Sequence, residues 1–410
     1  MFKQESSNQK FAPYVSDALE CVKLKFVDNN CDIVNAAQYD IDFAYQHFDQ
    51  AEKIVGFKDL EVNVVYSNLT MYSYVKVDHT GDITEVDNTI EPDDIVTLIR
   101  NQYPIGQTNS LITNVASFKA LCERQKEFVP FGKKVADLEW RNKKYELYRV
   151  TFDDRKQGFD QYLARVQTLS LYFIESASYT DPEDPRFTYY FIYEKEPTMA
   201  LAGYVCLYNF YHYPDKERPR FAQALVLPPY RRSGLGNKFL EMVYDDLRRD
   251  EKVFDITAET PADTFIYSRD FLDCKLMKPM EEFGFEVLKK GYSKELEDKM
   301  REKTKIGKVQ ARRVYELLRY FYVQTSHPED EESFENDVRK RIAIPFNKSS
   351  RDSSKLRTVL TDQELAIVSA KDNPEEKKKM IDAIYESTVE QYGIVLDRLT
   401  KYESVLFPKS

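Results

Sequence analysis

Two parts of the chain combine residue types and spacing suited to chemistry. The first is Ala222-Gln223-Ala224-Leu225-Val226-Leu227-Pro228-Pro229-Tyr230-Arg231-Arg232-Ser233-Gly234-Leu235-Gly236-Asn237-Lys238-Phe239-Leu240. An apolar run ends at two prolines, which cannot continue a strand ladder. A short turn with two arginines and two glycines follows, and then Phe239, Leu240, Val243 and Leu247 recur at helical spacing. Strand, glycine turn and helix N-terminus together form an anion site, because the first N–H groups of a helix lack partners and its dipole is positive there. Glycine lets the backbone approach a bulky diphosphate, and Arg231 and Arg232 can add charge. The spacing is not that of a Walker loop, nor that of a dinucleotide-binding turn after the first strand of a βαβ unit. The plainer alternative is an ordinary tight turn with two exposed arginines.

The second part is a pair of carboxylates. Glu259 follows the apolar stretch Val253–Ala258 and precedes Pro261, while Glu175 ends a predicted helix. A carboxylate in a partly apolar cleft has its pKa raised towards neutrality and can take a proton from a reacting group. Each glutamate reads equally well as a solvated residue at the end of an element. Other chemistry has little material. Cys21, Cys31, Cys122, Cys206 and Cys274 are scattered, odd in number and never spaced as CxxC, against a disulfide framework or a structural zinc site. His47, His79, His212 and His327 are isolated from one another.

The elements that must position these residues follow from periodicity. In the N-terminal third, Lys23–Val27, Glu61–Tyr66 and Met71–Val77 alternate as half-buried strands, the last bounded by a turn at Thr80-Gly81-Asp82. Asp93–Ile99 reads as a helix entered through acidic residues, broken after Pro104. Further on, strands are expected at Tyr145–Val150, Phe187–Tyr193, Ala202–Tyr208, Phe221–Leu227 and Val253–Ala258. Helices are expected at about 158–173 and 236–249, with a loop at Asp181–Pro185. From about 295 the chain becomes helical and charged. Val314, Leu317, Leu318 and Phe321 share one helical face. His327–Glu332 reads as an acidic loop, Lys348–Ser354 as a polar linker, and 361–405 as one or two amphipathic helices. The pattern is α+β with a crossover unit, divided into an N-terminal α/β domain (1–130), a core (131–290) and a C-terminal helical domain (291–410).

Composition narrows the function classes. The 410 residues carry 59 Lys+Arg against 69 Asp+Glu, a net charge of −10, which argues against a protein built to grip phosphate backbones and suits a basic ligand. Hydrophobic content of 42% with 29 Tyr and 26 Phe is too core-rich for a disordered chain. No apolar stretch approaches the ~20 residues of a spanning helix. Met1–Ser7 lacks the apolar core of a signal peptide, so the expected location is cytosol, nucleus or both.

Arg231-x-x-Gly234-x-Gly236 matches the Arg/Gln-x-x-Gly-x-Gly/Ala turn of the acyl-CoA-dependent N-acetyltransferase (GNAT) superfamily. More narrowly, the chain resembles the catalytic subunits of type B histone acetyltransferases. The resemblance is carried by Val55-Gly56-Phe57-Lys58, Phe173-Ile174-Glu175-Ser176-Ala177-Ser178, Tyr213-Pro214-Asp215-Lys216-Glu217-Arg218-Pro219-Arg220, Asp255-Ile256-Thr257-Ala258-Glu259 and Ala311-Arg312-Arg313-Val314-Tyr315-Glu316, in family order.

The resemblance implies a central GNAT fold flanked by N- and C-terminal domains, with acetyl-CoA as cosubstrate and no metal. It implies transfer of acetyl to lysines in the tail of newly made histone four, with a WD-repeat β-propeller histone chaperone as partner. Glu259 would be the general base, and Glu175 would line the lysine channel. Arg231, Arg232, Ser233, Gly234, Leu235, Gly236 and Asn237 would hold the pyrophosphate. The backbone of Ala224, Leu225 and Val226 would meet the acetyl and pantetheine part, one N–H stabilising the oxyanion. Phe187, Tyr208, Asn209, Phe210 and Phe271 would contact the histone, and Asp49 and Glu52 would meet its basic tail. The sequence departs from the family at Thr260, where a second carboxylate is common, and at Ala262, a cofactor position where a polar residue is common. Two other readings remain open: a histone-binding chaperone-assembly subunit with little or no catalysis, and a GNAT enzyme acting on a small amine or another protein.

Overall fold

The computed structural model describes residues 10–104, 106–356 and 374–406. They form two compact units, one of Met1–Tyr211 with Pro219–Arg249 and the other of His212–Arg218 with Asp250–Ser410. The architecture is α+β, as expected.

Among the described residues the first unit holds two large sheets beside two small two-stranded ones. In the five-stranded sheet the order is Gln38–Asp40, Val22–Val27, Glu61–Ser67, Ser73–Asp78, Leu111–Ile112. Val22–Val27 runs parallel to Glu61–Ser67 with Leu24 opposite Val64, and Val64 faces Val75 across an antiparallel pair. In the second sheet five neighbouring strands run Lys133–Trp140, Lys143–Val150, Phe187–Glu194, Ala200–His212, Lys216–Val226. One apolar cluster joins both sheets, from Ala18 and Val64 to Tyr189 and Leu227. It is unusually rich in tyrosine, and buried hydroxyls need partners. Tyr66 bonds Thr168 at 3.0 Å, Tyr162 bonds Tyr193 at 3.0 Å, and Tyr204 donates to Gln223 at 2.5 Å. Gly203 has a packing reason: a Cβ there would lie 2.7 Å from the Leu225 carbonyl of the next strand.

Several expected elements change length. The helix over 158–173 is two pieces, Phe159–Gln167 and Ser170–Phe173. At the break Thr168 returns its hydroxyl to the Arg165 carbonyl at 2.7 Å, a local bond that competes with helix continuation. The strand at 202–208 extends to Ala200–His212, and that at 221–227 begins at Lys216. Asp94 caps Ile95–Asn101 by accepting from the Thr97 N–H at 3.0 Å. The strand Lys133–Trp140 and the helix Val115–Glu123 escaped the periodicity reading.

The second unit is mainly helical: Asp263–Met277, Lys294–Thr304, Lys308–Thr325, Glu331–Leu356 and Pro374–Leu406 are its long helices. The face of Val314, Leu317, Leu318 and Phe321 is buried, as its spacing requires. The strand expected over 253–258 contracts to Thr257–Ala258. Phe254 N–H bonds the Glu217 carbonyl, but Ile256 N–H bonds that of Lys305, so no single ladder continues along it. The acidic loop at 327–332 is a 3-10 turn, Pro328–Asp330, after which Glu331 and Glu332 open the next helix, where the dipole favours acids. Lys348–Ser354 is not a linker but lies in the helix Glu331–Leu356. A polar helix and a polar linker can share one composition. Of the expected 361–405 helices, 374–406 is helical and 361–373 lies outside the described residues, as do Met1–Ser7.

Candidate active site

The strand Lys216–Val226 presents Ala224 and Val226 on its more open face and buries Leu225. The Pro228–Tyr230 turn ends it, and the helix Leu235–Arg249 begins within nine residues. Between them, Arg232 (φ 58°) and Gly234 (φ 81°) are both left-handed. Ser233 ties the turn together: its hydroxyl donates to the Tyr230 carbonyl at 2.6 Å and accepts the Leu235 N–H at 3.2 Å. Gly236 faces the Val226 side chain, where a Cβ would lie 3.5 Å away. Phe239, Leu240, Val243 and Leu247 are buried and anchor the helix, leaving its N-terminal amides at the turn.

The two arginines diverge. Arg231 sends its Nε–H to the Val226 carbonyl at 3.1 Å, reaches Asp42 at 3.5 Å and lies 4.1 Å over the Phe173 ring. Its charge is therefore engaged within the protein. Arg232 is exposed, and its guanidinium has no ion pair among the described residues. An exposed guanidinium, a left-handed glycine and helix N-terminal amides on one short turn suit a diphosphate group. Asn237 lies in the first turn of that helix.

The remaining residues singled out in the first unit fall into two groups. Phe187, Tyr208, Asn209 and Phe210 come together as an aromatic strip. Phe187 and Tyr208 meet edge-on at 5.0 Å and Tyr208 and Phe210 at 4.7 Å, with Asn209 bonded to Thr188 at 2.9 Å. Arg186 covers the Tyr208 ring and Arg220 covers Phe210. The other group surrounds Glu175, which is exposed just beyond the helix Ser170–Phe173. The Ser176 N–H donates to Tyr45 Oη at 2.6 Å, and Gln46 bonds the Ala177 carbonyl, so the Glu175 turn is tied to the segment that leads to Asp49 and Glu52. Asp49 is exposed and accepts from the Ala51 N–H at 2.7 Å. Glu52 spends one carboxylate oxygen on the N–H groups of Ala44 (2.7 Å) and Tyr45 (3.0 Å).

Glu259, Ala262 and Phe271 belong to the second unit. Glu259 directly follows Thr257–Ala258 and is exposed, and Thr260 has a positive φ of 32°. Ala262 precedes the helix Asp263–Met277, which Arg269 fastens to the Ile256 carbonyl at 2.7 Å. Phe271 is buried on that helix and meets Tyr402 edge-on at 5.8 Å. Among the described residues no three His, Cys, Asp or Glu side chains gather as a metal site.

Sequence reasoning missed two participants in the turn, Asp42 and Trp140. Asp42 lies 189 positions from Arg231, and Trp140, whose indole bonds the Ser233 carbonyl, lies 93 positions from it. No local pattern signals either contact.

This strand, turn and helix define an acetyltransferase of the GNAT class, and the Acetyltransferase (GNAT) family model matches residues 145–270. On either side, "Histone acetyl transferase HAT1 N-terminus" matches residues 14–175 and "Histone acetyltransferase type B catalytic subunit, C-terminal" matches 269–320. The chain is 30% identical over 405 residues to the histone acetyltransferase type B catalytic subunit of Homo sapiens, covering 96% of this chain and 95% of that one. It is 30% identical to that of Rattus norvegicus over the same shares, and 26% identical to one from Cryptococcus neoformans over 90% of each chain. The chain belongs to the family of type B histone acetyltransferase catalytic subunits.

Proposed function

We propose that this protein transfers the acetyl group of acetyl-CoA to lysine side chains in the N-terminal tail of newly made, free histone four, with Glu259 as general base. The observation that carries the reading is the turn Arg231–Gly236, left-handed at Gly234 and opening a helix, in a chain of this family. In this reading the amides after Gly234 and the Arg232 guanidinium take the pyrophosphate. A backbone N–H of Ala224–Val226 polarises the thioester carbonyl.

A lysine amine has an ordinary pKa near ~10.4 and must lose a proton before it can attack. Glu259 accepts that proton, directly or through one water. The amine nitrogen then forms the C–N bond as the C–S bond breaks; the nitrogen gives up its second proton, and the departing thiolate takes up one proton in balance. Glu259 is exposed in the free chain, and cosubstrate and peptide exclude water from around it on binding. The strip of Phe187, Tyr208 and Phe210 excludes water around the substrate, with Asn209 holding the strand edge, and Phe271 is a further substrate contact in this reading. Glu175 lines the lysine channel. Asp49 and Glu52 meet the basic tail, Asp49 with the freer carboxylate. The partner in this reading is a WD-repeat β-propeller histone chaperone, and the protein works in both cytoplasm and nucleus.

The test is mass spectrometry of a histone-four tail peptide incubated with acetyl-CoA and either wild type or Glu259→Gln. Wild type is expected to add single acetyl groups to lysine. The variant is expected to bind acetyl-CoA normally and to lose about 10²–10⁴ in rate, most severely near neutral pH. A Glu259→Gln enzyme with undiminished turnover at neutral pH removes Glu259 as the base. No acetylation by wild type, despite tail binding, supports the chaperone-assembly reading instead.

A further inference from the structure

Trp140 is the single tryptophan of the chain, and nothing in the chemistry above uses it. It ends the strand Lys133–Trp140, which pairs antiparallel with Lys143–Val150. The two residues between, Arg141 (φ 49°) and Asn142 (φ 63°), are both left-handed, the geometry in which a two-residue turn matches the twist of its strands. This hairpin brings the indole to the anion turn. The ring N–H donates to the Ser233 carbonyl at 3.0 Å. A Cβ on Gly234 would lie 3.2 Å from Cζ2 of the ring and 3.7 Å from Cε2, so the indole rests against the glycine itself. Lys238, in the first turn of the helix, lies 5.4 Å from the ring centroid and is steered by Glu241 at 3.0 Å. One side chain thus touches the carbonyl before Gly234, Gly234 itself and the helix start beyond it.

The consequence follows from peptide geometry. A trans peptide is planar, and its C=O and N–H point in opposite directions. With the Ser233 carbonyl held on the indole, the Gly234 N–H is aimed away from Trp140. An unrestrained glycine visits both signs of φ with comparable ease, which would turn that N–H through a wide arc. The indole removes this freedom before any ligand arrives, and less ordering is then required on binding.

The geometry points to Trp140 as a positioning residue that fixes the amide orientations of the turn and so sets acetyl-CoA affinity, without touching the reacting atoms. This rests on the reading of the turn as the pyrophosphate site. It also makes the tryptophan emission of the full-length protein a direct reporter of occupancy there, since no other tryptophan contributes.

The experiment titrates full-length protein with CoA, following binding by calorimetry and emission together, and repeats the calorimetry and steady-state kinetics with Trp140→Phe. The wild-type emission is expected to change and to saturate with the calorimetric Kd. Trp140→Phe keeps an aromatic ring but loses the N–H donor. It is expected to weaken CoA binding and raise the KM for acetyl-CoA by about five- to tenfold, the worth of one hydrogen bond. Its kcat and its KM for the histone peptide should stay within about twofold of wild type, a split that a general loss of folding would not produce. Calorimetric binding of CoA to wild type with flat emission overturns the inference while leaving the turn assignment standing. That measurement decides the matter even if Trp140→Phe fails to fold. Unchanged CoA affinity in a folded Trp140→Phe also overturns it. If wild type binds no CoA at all, the turn assignment itself falls, and this inference with it.

Discussion

Gly234 shows how much of this site depends on a missing side chain. Its φ of 81° is a conformation that costs an L-residue roughly 1–2 kcal/mol, and a Cβ there would also press on Trp140. Gly234→Asp adds a negative charge where an anion is to bind. Strain, crowding and repulsion act in the same direction, so acetyl-CoA affinity should fall by at least about tenfold. Calorimetry showing unaltered affinity would remove the turn as the pyrophosphate site. The neighbouring arginines show that identical residue types can have separate duties. Arg231 braces the end of the strand through the Val226 carbonyl, and Arg232 alone presents its charge to solvent.

At the scale of elements, the helices of the second unit are joined through one buried carboxylate. Glu316, fully buried on Lys308–Thr325, accepts from Arg312 at 2.5 Å and Arg341 at 2.7 Å, and from the Tyr392 hydroxyl at 2.8 Å. Arg341 lies on Glu331–Leu356 and Tyr392 on Pro374–Leu406, so a single side chain fastens three helices. Removing one member of such a cluster leaves the others desolvated without full compensation. Glu316→Gln is nearly isosteric but uncharged. It is expected to cost about 2–4 kcal/mol, below the full value for a broken buried pair because both arginines keep some contact with water. Denaturant titration followed by helix signal would check this, and a loss under about 0.5 kcal/mol would show that the cluster orders the helices without stabilising them.

For the whole molecule, acid stability should be governed in part by His47. Its ring is buried, stacks on Tyr172 at 4.3 Å, and leaves Nδ1 without a hydrogen-bond partner among the described residues. Burial pushes its pKa down from 6.5 to about 3. One oxygen of the Glu52 carboxylate accepts from the Ala44 and Tyr45 amides. A group whose folded pKa is depressed contributes fully above its unfolded pKa. That contribution is lost as pH falls from about 6.5 towards about 3, because only the unfolded chain binds the proton there. At about pH 5 the loss amounts to about 2 kcal/mol. Replacing His47 with Phe should flatten the decline in unfolding free energy between about pH 7 and pH 5 by that amount. A decline equally steep in the variant would show that other groups govern it.

Local order was legible in the residues themselves. Strand-forming runs marked Lys23–Val27 and Glu61–Tyr66, although Glu61–Ser67 is buried on both faces beyond Glu61 rather than half-buried; helical spacing marked the buried face of Leu235–Arg249, and two prolines followed by two glycines marked the turn between strand and helix. These follow from repeats of two and 3.6 residues, which neighbours along the chain enforce on one another. Glu259 and Glu175 stand at the ends of such elements, but their assigned roles come from the resemblance to the family and not from the periodicity. Composition failed where two structures share it, as in Lys348–Ser354, a helical segment that reads as a linker. Only the tertiary structure decided that Arg231 would turn to Val226 and Asp42, that Glu52 would cap its own neighbourhood, and that an indole 93 positions away would hold the Ser233 carbonyl. Such contacts depend on which chain segments the buried tyrosine-rich core brings together. That core is a sum of weak, non-directional contacts over the whole unit, and no single stretch of sequence contains it.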